Sequence, residues 1–402
     1  MAILFGKDNS LNSSKMINRT QAQQIIKKNI KRNPSKTMDT YKTFGQVLVE
    51  DVFAKANQPP FDKAAMDGFT ICSDETKNRL KIVGEIAATA QRQKRCQLGT
   101  TYSICTGGVV PKNCLKIVPK ELVRKTGNLV ILPDDIKVIA QNYCKRGEDF
   151  EKGDLLFAKG EKLNTIKVAS IISAGNSQIK VFKKCSVAVI TTGDEVVDVV
   201  EKEGQIVNSN KALLKGLLKG QECTFIHCPD EIEAIARAIN RACLRADLVI
   251  TTGGASVGSF DFVATALSQL GARALFAKVA IKPAMPNSFF TLEKKPIFCF
   301  PGNPVAVLLS YLLFAKTCIN YIDGGEFKSE FKRLQLNEKV EIKPSHRERF
   351  MPAIVEKEKL KMQKTNGPAD LFSMSRVDCF CRVPKRTKTL PKGSFQEVLY
   401  LQ

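Results

Sequence analysis

An α/β domain flanked by β-rich segments is the fold class this sequence predicts, and three observations predict it. Residues 185–320 alternate short apolar strands with helical patterns. That βαβα order implies a central, mainly parallel sheet covered by helices. Residues 70–140 instead carry short apolar runs separated by Gly, Pro, Asn and Asp, the spacing of a small β-rich domain. Beyond about residue 328 short strand-like runs return and read as a small C-terminal β domain.

The elements follow in order. Residues 20–32 (QAQQIIKKNIKRN) read as a basic helix, and 45–53 as a short helix or turn followed by an extended segment. Pro59-Pro60 marks a break. Strand-like runs stand at 80–83, 102–105, 114–118 and 128–132, and 146–160 is a turn-rich return. The segment 166–175 (IKVASIISAG) is a helix ended by Gly175. In the α/β region, strands are expected at 186–191, 247–251, 274–281 and 296–300, and helices at 209–219, 231–245 and 259–270. The runs 289–292 and 296–300 can pair as a hairpin around Glu293-Lys-Lys. Pro301-Gly302-Asn303-Pro304 forms a rigid turn, and an apolar helix starts at once, with Pro304 suited to its first turn. KVEIK, FMPAIV, LKMQK, CFCRV and EVLYL supply the C-terminal strands.

The totals restrict the function classes. A chain of 402 residues suits two to four domains, and 44% apolar residues can fill sizeable cores. The net charge of +22 (62 basic minus 40 acidic) could steer a polyanion, but the lysines are dispersed, so solvated faces are the favoured reading. Trp is absent, which argues against single-stranded nucleic-acid platforms. Thirteen Cys without a CxxC pair, and two His, favour reduced thiols in a cytoplasmic protein over zinc sites or disulfides. No apolar stretch reads as long enough to span a bilayer, and residues 1–7 are too poor in apolar residues for a signal peptide. Neither nucleic acid nor membrane is an expected partner.

Three strand-end motifs carry the chemistry. They are Thr191-Thr192-Gly193-Asp194-Glu195, the stretch from Thr251 through Gly253, Gly254, Ser256 and Gly258 to Asp261, and Pro301-Gly302-Asn303-Pro304. In a parallel sheet all three lie at one edge, where ligands bind. Glycines there let a phosphate approach the backbone, Thr252 and Ser256 add hydroxyl donors, and amides at the start of a helix favour anions. None is a Walker loop. Asp194, Glu195 and Asp261 would repel an anionic substrate unless a cation intervened, and Mg²⁺ held by carboxylates and substrate oxygens answers that. Helix N-capping by Asp194 or Asp261 is the competing reading. Asp67-Gly68, within Pro59-Pro60-Phe61-Asp62-Lys63-Ala64-Ala65-Met66-Asp67-Gly68-Phe69, reads locally as a turn.

Together these residues resemble the molybdopterin molybdenumtransferase family, which includes the bacterial molybdenum-insertion enzymes and the E domain of gephyrin. The family's Pro-Pro-Phe…Ser-Ala-Met-Asp-Gly-Tyr segment is matched at 59–69, Thr-Gly-Ala-x-x-Pro at 106–111 and Arg-Gly-Glu-Asp at 146–149. Thr-Gly-Asp-Glu is matched at 192–195, Gly-Gly-Val-Ser-Val-Gly-x-x-Asp at 253–261, Lys-Pro-Gly-x-Pro at 282–286 and Pro-Gly-Asn-Pro at 301–304. The likeness runs in order from about residue 20 to 320. Departures are Ala64 for Ser, Ala284 and Met285 for Gly and a frequent Lys, Pro229-Asp230 for two acids, and a less acidic 114–120 segment.

The resemblance implies four parts: an elongated N-terminal linking domain (16–55 and 140–180), a β-rich domain (56–139), the α/β molybdopterin-binding domain (181–327) and a β-barrel-like C-terminal domain (328–402). It implies a homodimer, with the site in a cleft between the α/β domain and the partner's β-rich domain. The implied reaction is Mg²⁺-dependent insertion of molybdate, the second substrate, into adenylylated molybdopterin, giving molybdenum cofactor and AMP. The adenylyltransferase that supplies the substrate is a further implied partner. Carried over, the catalytic set is Asp67, Thr106, Asp149, Glu195, Asp230 and Asp261, and Lys282 joins the anion pocket with Ser256 and the 301–304 turn. Two other readings compete: a nucleotide-pyrophosphate hydrolase sharing the α/β domain, and a dimeric scaffold with a degraded site.

Overall fold

The computed structural model describes residues 16–73, 78–89, 93–253 and 262–401. The chain divides into two compact units, Met1–Ser35 with Phe182–Gln402, and Lys36–Val181.

The first unit is built on a six-stranded sheet in the order Glu222–Cys228, Ser186–Thr192, Leu248–Thr252, Lys295–Phe300, Ser288–Leu292, Arg273–Phe276. The first four strands run parallel, and Ser288–Leu292 is antiparallel to both of its neighbours. The sheet is thus mixed and mainly parallel, as expected. Every residue of Ser186–Thr192 and Leu248–Thr252 is buried, because helices cover both faces. Alternate residues serve opposite cores. Val187, Val189, Leu248, Ile250, Phe298 and Phe300 pack with the helix Arg19–Lys28 and the apolar run after Pro304. Ala188, Ile190, Val249, Ile297 and Cys299 pack with the helix Ile232–Arg245 and Phe262–Gln269.

The hairpin at 289–300 forms, with Glu293 (φ 48°) and Lys294 (φ 70°) in left-handed conformation at its turn. The strand expected at 274–281 is shorter. It ends at Phe276, and Ile281–Lys282 pairs instead with Glu348–Arg349 of the C-terminal sheet. Glu222–Cys228 has no counterpart among the expected strands. It is an edge strand in which only Cys228 is fully buried, so it lacks the continuous apolar run of its neighbours.

The helical run from Pro304 to Ile322 also corrects the sequence reading. It is 19 residues long and apolar enough to cross a membrane by length and composition, and 83% of its apolar window is buried against the rest of the protein. It contains a π-turn at Tyr311–Ala315. Beyond it, five strands close into a barrel: Phe331–Leu336, Lys359–Met362, Glu348–Glu356, Cys379–Val383 and Phe395–Tyr400 each pair with two others in a ring. Leu360, Cys379, Cys381 and Val398 fill its interior.

In the second unit a six-stranded sheet runs Lys116–Pro119, Gly68–Ile71, Thr100–Ile104, Arg79–Ile86, Leu129–Ile131, Arg124–Thr126. The helix Thr165–Ser173 starts at Asn164, whose side chain accepts from Lys167 N, and Gly175 beyond its end adopts φ +85°. Its Val168 and Ile171 pack with Leu48, Val52, Leu163, Ile179 and Val181.

Candidate functional site

The parallel register fixes where the strand-end loops emerge. Thr191 lies opposite Thr252, Thr252 opposite Phe300, and Thr192 opposite Cys228. The loops that begin with Gly193, Pro229, Gly253 and Pro301 therefore leave one edge of the sheet. Gly253 has φ +90°, and a Cβ placed on it would lie 2.6 Å from the Thr192 carbonyl oxygen. A Cβ on Gly302 would lie 3.7 Å from the Gly253 Cα. The three loops thus lie close together, and at Gly253 the approach to the Thr192 backbone is one that glycine alone permits.

Side chains behind the loops fix their geometry. Asn208 caps the helix Ser209–Leu217 by accepting from Lys211 N, and its Nδ2 donates to Thr191 Oγ1 at 2.9 Å. Asn210 Nδ2 donates to the Gly302 carbonyl at 2.7 Å, joining that helix to the 301–304 turn. Pro304 occupies the first helical turn as expected, but Val305 N already donates to the Pro368 carbonyl, so that amide is not open to an anion. Meanwhile Thr192 Oγ1, Asn210 Oδ1, Asp230 Oδ1, Thr251 Oγ1 and Thr252 Oγ1 are buried at this end of the sheet without a hydrogen-bonding partner.

Three carboxylates gather here. Asp194 Oδ1 accepts from Asp230 N at 3.1 Å. Burial pushes the Asp230 carboxyl up, and the nearby charges of Asp194 and Glu195 add to it; the Thr192 hydroxyl pulls the other way without reaching good hydrogen-bond geometry. Asp194 caps no helix: a turn and the short strand Val196–Val197 follow it, which removes the capping alternative there. Asp194, Asn208, His227 and Pro229 line a hollow of ≈ 400 Å³. The carboxylates at this edge offer oxygen donors, the kind a hard divalent cation takes, and His227 adds a ring nitrogen hydrogen-bonded to Thr191 Oγ1. Among the described residues, however, no three His, Cys, Asp or Glu side chains close into a complete metal cluster. Gly254, Ser256, Gly258 and Asp261, the rest of the second motif, lie outside the described residues, so the capping alternative for Asp261 stays open.

A larger hollow of ≈ 1070 Å³ opens beside the 301–304 turn. Lys282, Pro301 and Asn303 line it, as do Arg347, Arg349 and Lys364 from the C-terminal part. Lys282 pairs in register with Arg349. Both arginines were absent from the sequence expectations. The signal for them is the alternation Arg347-Glu348-Arg349: the arginines line the hollow while the intervening Glu348 turns inward to Arg19 and Arg382. Met285 lines the same hollow, and Ala284 is buried at φ +72°.

In the unit Lys36–Val181 the structure brings Asp67 and Thr106 together. Asp67 Oδ1 accepts from Thr106 N and Thr106 Oγ1, both at 2.8 Å, and Oδ2 accepts from Lys120 Nζ at 2.9 Å. The Thr106 amide, then Lys120, hold the Asp67 carboxyl far below the usual range. Asp149 stands exposed on a turn pinned by its backbone to Gln58.

Comparison with known proteins agrees with this layout. Residues 17–175 match the MoeA N-terminal region (domain I and II), and residues 188–320 match a probable molybdopterin binding domain. The molybdopterin molybdenumtransferase of Haemophilus influenzae is 31% identical over 286 residues, covering 69% of this chain and 70% of that one. That of Staphylococcus epidermidis is 29% identical over 322 residues, 77% of this chain and 75% of that one. The crystal structure of a molybdopterin biosynthesis MoeA protein from Pyrococcus horikoshii superposes with a TM-score of 0.76 at 27% identity, covering 96% of this chain and all of that one.

Proposed function

The chain belongs to the molybdopterin molybdenumtransferase family, an enzyme family of molybdenum cofactor biosynthesis, and from that premise we propose that it inserts molybdate into adenylylated molybdopterin with release of AMP. The observation that carries this reading is the single sheet edge where glycine-lined loops, unpartnered hydroxyls and three carboxylates meet.

The residues divide the work. Thr192, Gly193, Gly253, Gly302, Asn303 and Pro304, with Gly254, Ser256 and Gly258, receive the phosphoanhydride end of the substrate. Lys282, Arg347 and Arg349 supply the positive hollow for molybdate, a tetrahedral dianion. Asp194, Glu195 and Asp230, with Asp261, would hold Mg²⁺, which neutralises anionic charge when bound. Asp230 is raised by burial and by its neighbours, so it gains most from a cation at this edge. Asp67 and Thr106, from the β-rich part, and Asp149, from the linking part, complete the catalytic set from the second subunit of a homodimer. The four-part division given by the sequence, a cytoplasmic location and handover from the adenylyltransferase belong to the same proposal.

Complementation of a strain lacking molybdenum insertion tests it. The chain should restore molybdoenzyme activity, and Glu195→Ala, Asp230→Ala or Asp261→Ala should not. Full activity of Asp261→Ala in a purified insertion assay overturns the carboxylate assignment, and failure of the unaltered chain to complement favours a scaffold role.

A further inference from the structure

The Asp67 carboxylate is fully engaged before any substrate arrives. Thr106 pins Oδ1 with two donors, which aims Oδ2, and Lys120 sits on Oδ2. The backbone builds this pair. Lys120 N donates to the Asp67 carbonyl, and Pro119 lies opposite Gly68 in register. A Cβ on Gly68 would meet the Val118 carbonyl at 2.3 Å, so only glycine allows the two strands so close. The lysine and the aspartate therefore spring from neighbouring backbone.

The ion pair itself is open to water, with 58% of the Lys120 side chain and 42% of the Asp67 side chain exposed. Exposed pairs are weak and exchange partners readily. Lys125 lines the same hollow of ≈ 350 Å³, together with Ser103 and Cys105. Among the residues that line the hollow, Lys120 and Lys125 stand against the single carboxylate of Asp67, so its lining is net positive, while Glu121 acts on Lys120 from outside the lining. A phosphate oxygen cluster is a stronger acceptor for Lys than one carboxylate already shared with Thr106.

We propose that Lys120 and Lys125 form a subsite for a phosphate group, and that its arrival draws the Lys120 ammonium from Asp67 Oδ2. Lys120 is then a positioning residue: it shields Asp67 in the free protein and uncovers one carboxylate oxygen when the anion binds. This rests on the proposed function, in which Asp67 serves the reaction.

The test uses the full chain, inorganic pyrophosphate as probe, and residue-resolved acylation of lysines read by mass spectrometry. Once the anion stands about nine times above its Kd, acylation of Lys120 and Lys125 should slow about tenfold, since only the unliganded fraction reacts. Lys42, which does not line the hollow, should not change. Asp67→Asn should speed Lys120 acylation in the free protein, because the carboxylate that raises the Lys120 pKa is gone, yet protection by pyrophosphate should persist. Lys120→Met should raise the substrate KM with kcat little changed, and Lys120→Arg should restore the KM. Unchanged rates at both lysines across the titration overturn the subsite, and protection by molybdate but not pyrophosphate overturns its assignment to phosphate. If protection occurs while Asp67→Ala complements fully, the assignment of Asp67 to the reaction fails and the subsite stands. If protection is absent while Asp67→Ala fails to complement, only the subsite falls.

Discussion

Gly253→Ala and Gly302→Ala offer a paired test of the glycine-lined edge, because the structure assigns them opposite outcomes. Gly253 sits at φ +90°, where an L-residue is strained by about 1–2 kcal/mol. Its new Cβ would lie 2.6 Å from the Thr192 carbonyl oxygen and 3.0 Å from Thr192 Oγ1, so backbone rather than a flexible side-chain tip must move. Displacing packed backbone adds about 1–3 kcal/mol, for a total of about 2–5 kcal/mol. The displaced loop carries Gly193, Asp194 and Glu195, so insertion activity should fall with stability. At Gly302 no strained φ exists, the nearest atom is at 3.7 Å, and the residue is exposed, so alanine should change stability by less than about 0.5 kcal/mol. Urea unfolding of both variants beside the parent, followed by an insertion assay, measures the difference. Equal stability of the two variants, or a Gly253→Ala protein as active as the parent, would refute the claim that close backbone approach shapes this edge.

Other outcomes follow from charge. Glu348 lies 10% exposed between Arg19 (2.9 Å) and Arg382; burial alone would raise its pKa, but the two guanidinium groups win and hold it below its ordinary value of 4.5. Glu348→Ala should cost about 3 kcal/mol at pH 7, the low end for a broken buried pair because Arg382 keeps Glu397. A depressed acid stabilises the fold above its unfolded pKa and loses that contribution as pH falls through the folded value, so parent and variant unfolding curves should converge below pH 4.5. Asp230 has the reverse sign. Its raised pKa means that stability falls as pH rises from the unfolded value of 3.8 through the higher folded value and stays reduced above it, so Asp230→Asn should leave thermal stability at pH 7 unchanged or higher while removing insertion activity. Mg²⁺ at about 100 times its Kd should stabilise the parent by about 2.7 kcal/mol in the same urea assay, and Asp230→Asn should lose most of that gain.

The parts of the fold legible in the sequence are those whose signal is local. Ser186–Thr192 and Leu248–Thr252 read as buried strands because both faces are apolar, and the 289–300 hairpin reads from two apolar runs flanking a polar turn. Glu222–Cys228 and Phe331–Leu336 escaped because charged and polar residues interrupt them, a consequence of their half-covered positions. The helix from Pro304 was legible at its start, but its length was not, since Lys316 and Asn320 interrupt the apolar run that the fold nonetheless buries. The same division holds at the site. Strand-end glycines and acids announce themselves within a few residues, and the register then brings Gly193, Gly253 and Gly302 to one edge. Pairings across long separations, such as Lys282 with Arg349 or Asp67 with Lys120, depend on sheet register that no local pattern encodes.

The distribution of unsatisfied polar atoms gives an independent reason to place the ligand at this edge. Among the described residues eight buried side-chain oxygen or nitrogen atoms lack a partner, and five of them belong to Thr192, Asn210, Asp230, Thr251 and Thr252. Each such atom costs about 1–3 kcal/mol. Elsewhere the fold satisfies comparable groups: Thr40 and Thr43 donate to backbone carbonyls, and Ser310 donates to Ala306 while accepting from Asn287. A chain that pairs its buried hydroxyls in other places and leaves them open where three carboxylates also crowd together has its polar deficit concentrated in one place. In the proposed complex, hydroxyl donors facing phosphate oxygens, and carboxylates facing a divalent cation, would relieve both halves of that deficit together. The cost borne by the free protein would then become binding selectivity: a ligand lacking either the anionic oxygens or the accompanying cation would leave one half of the strain in place.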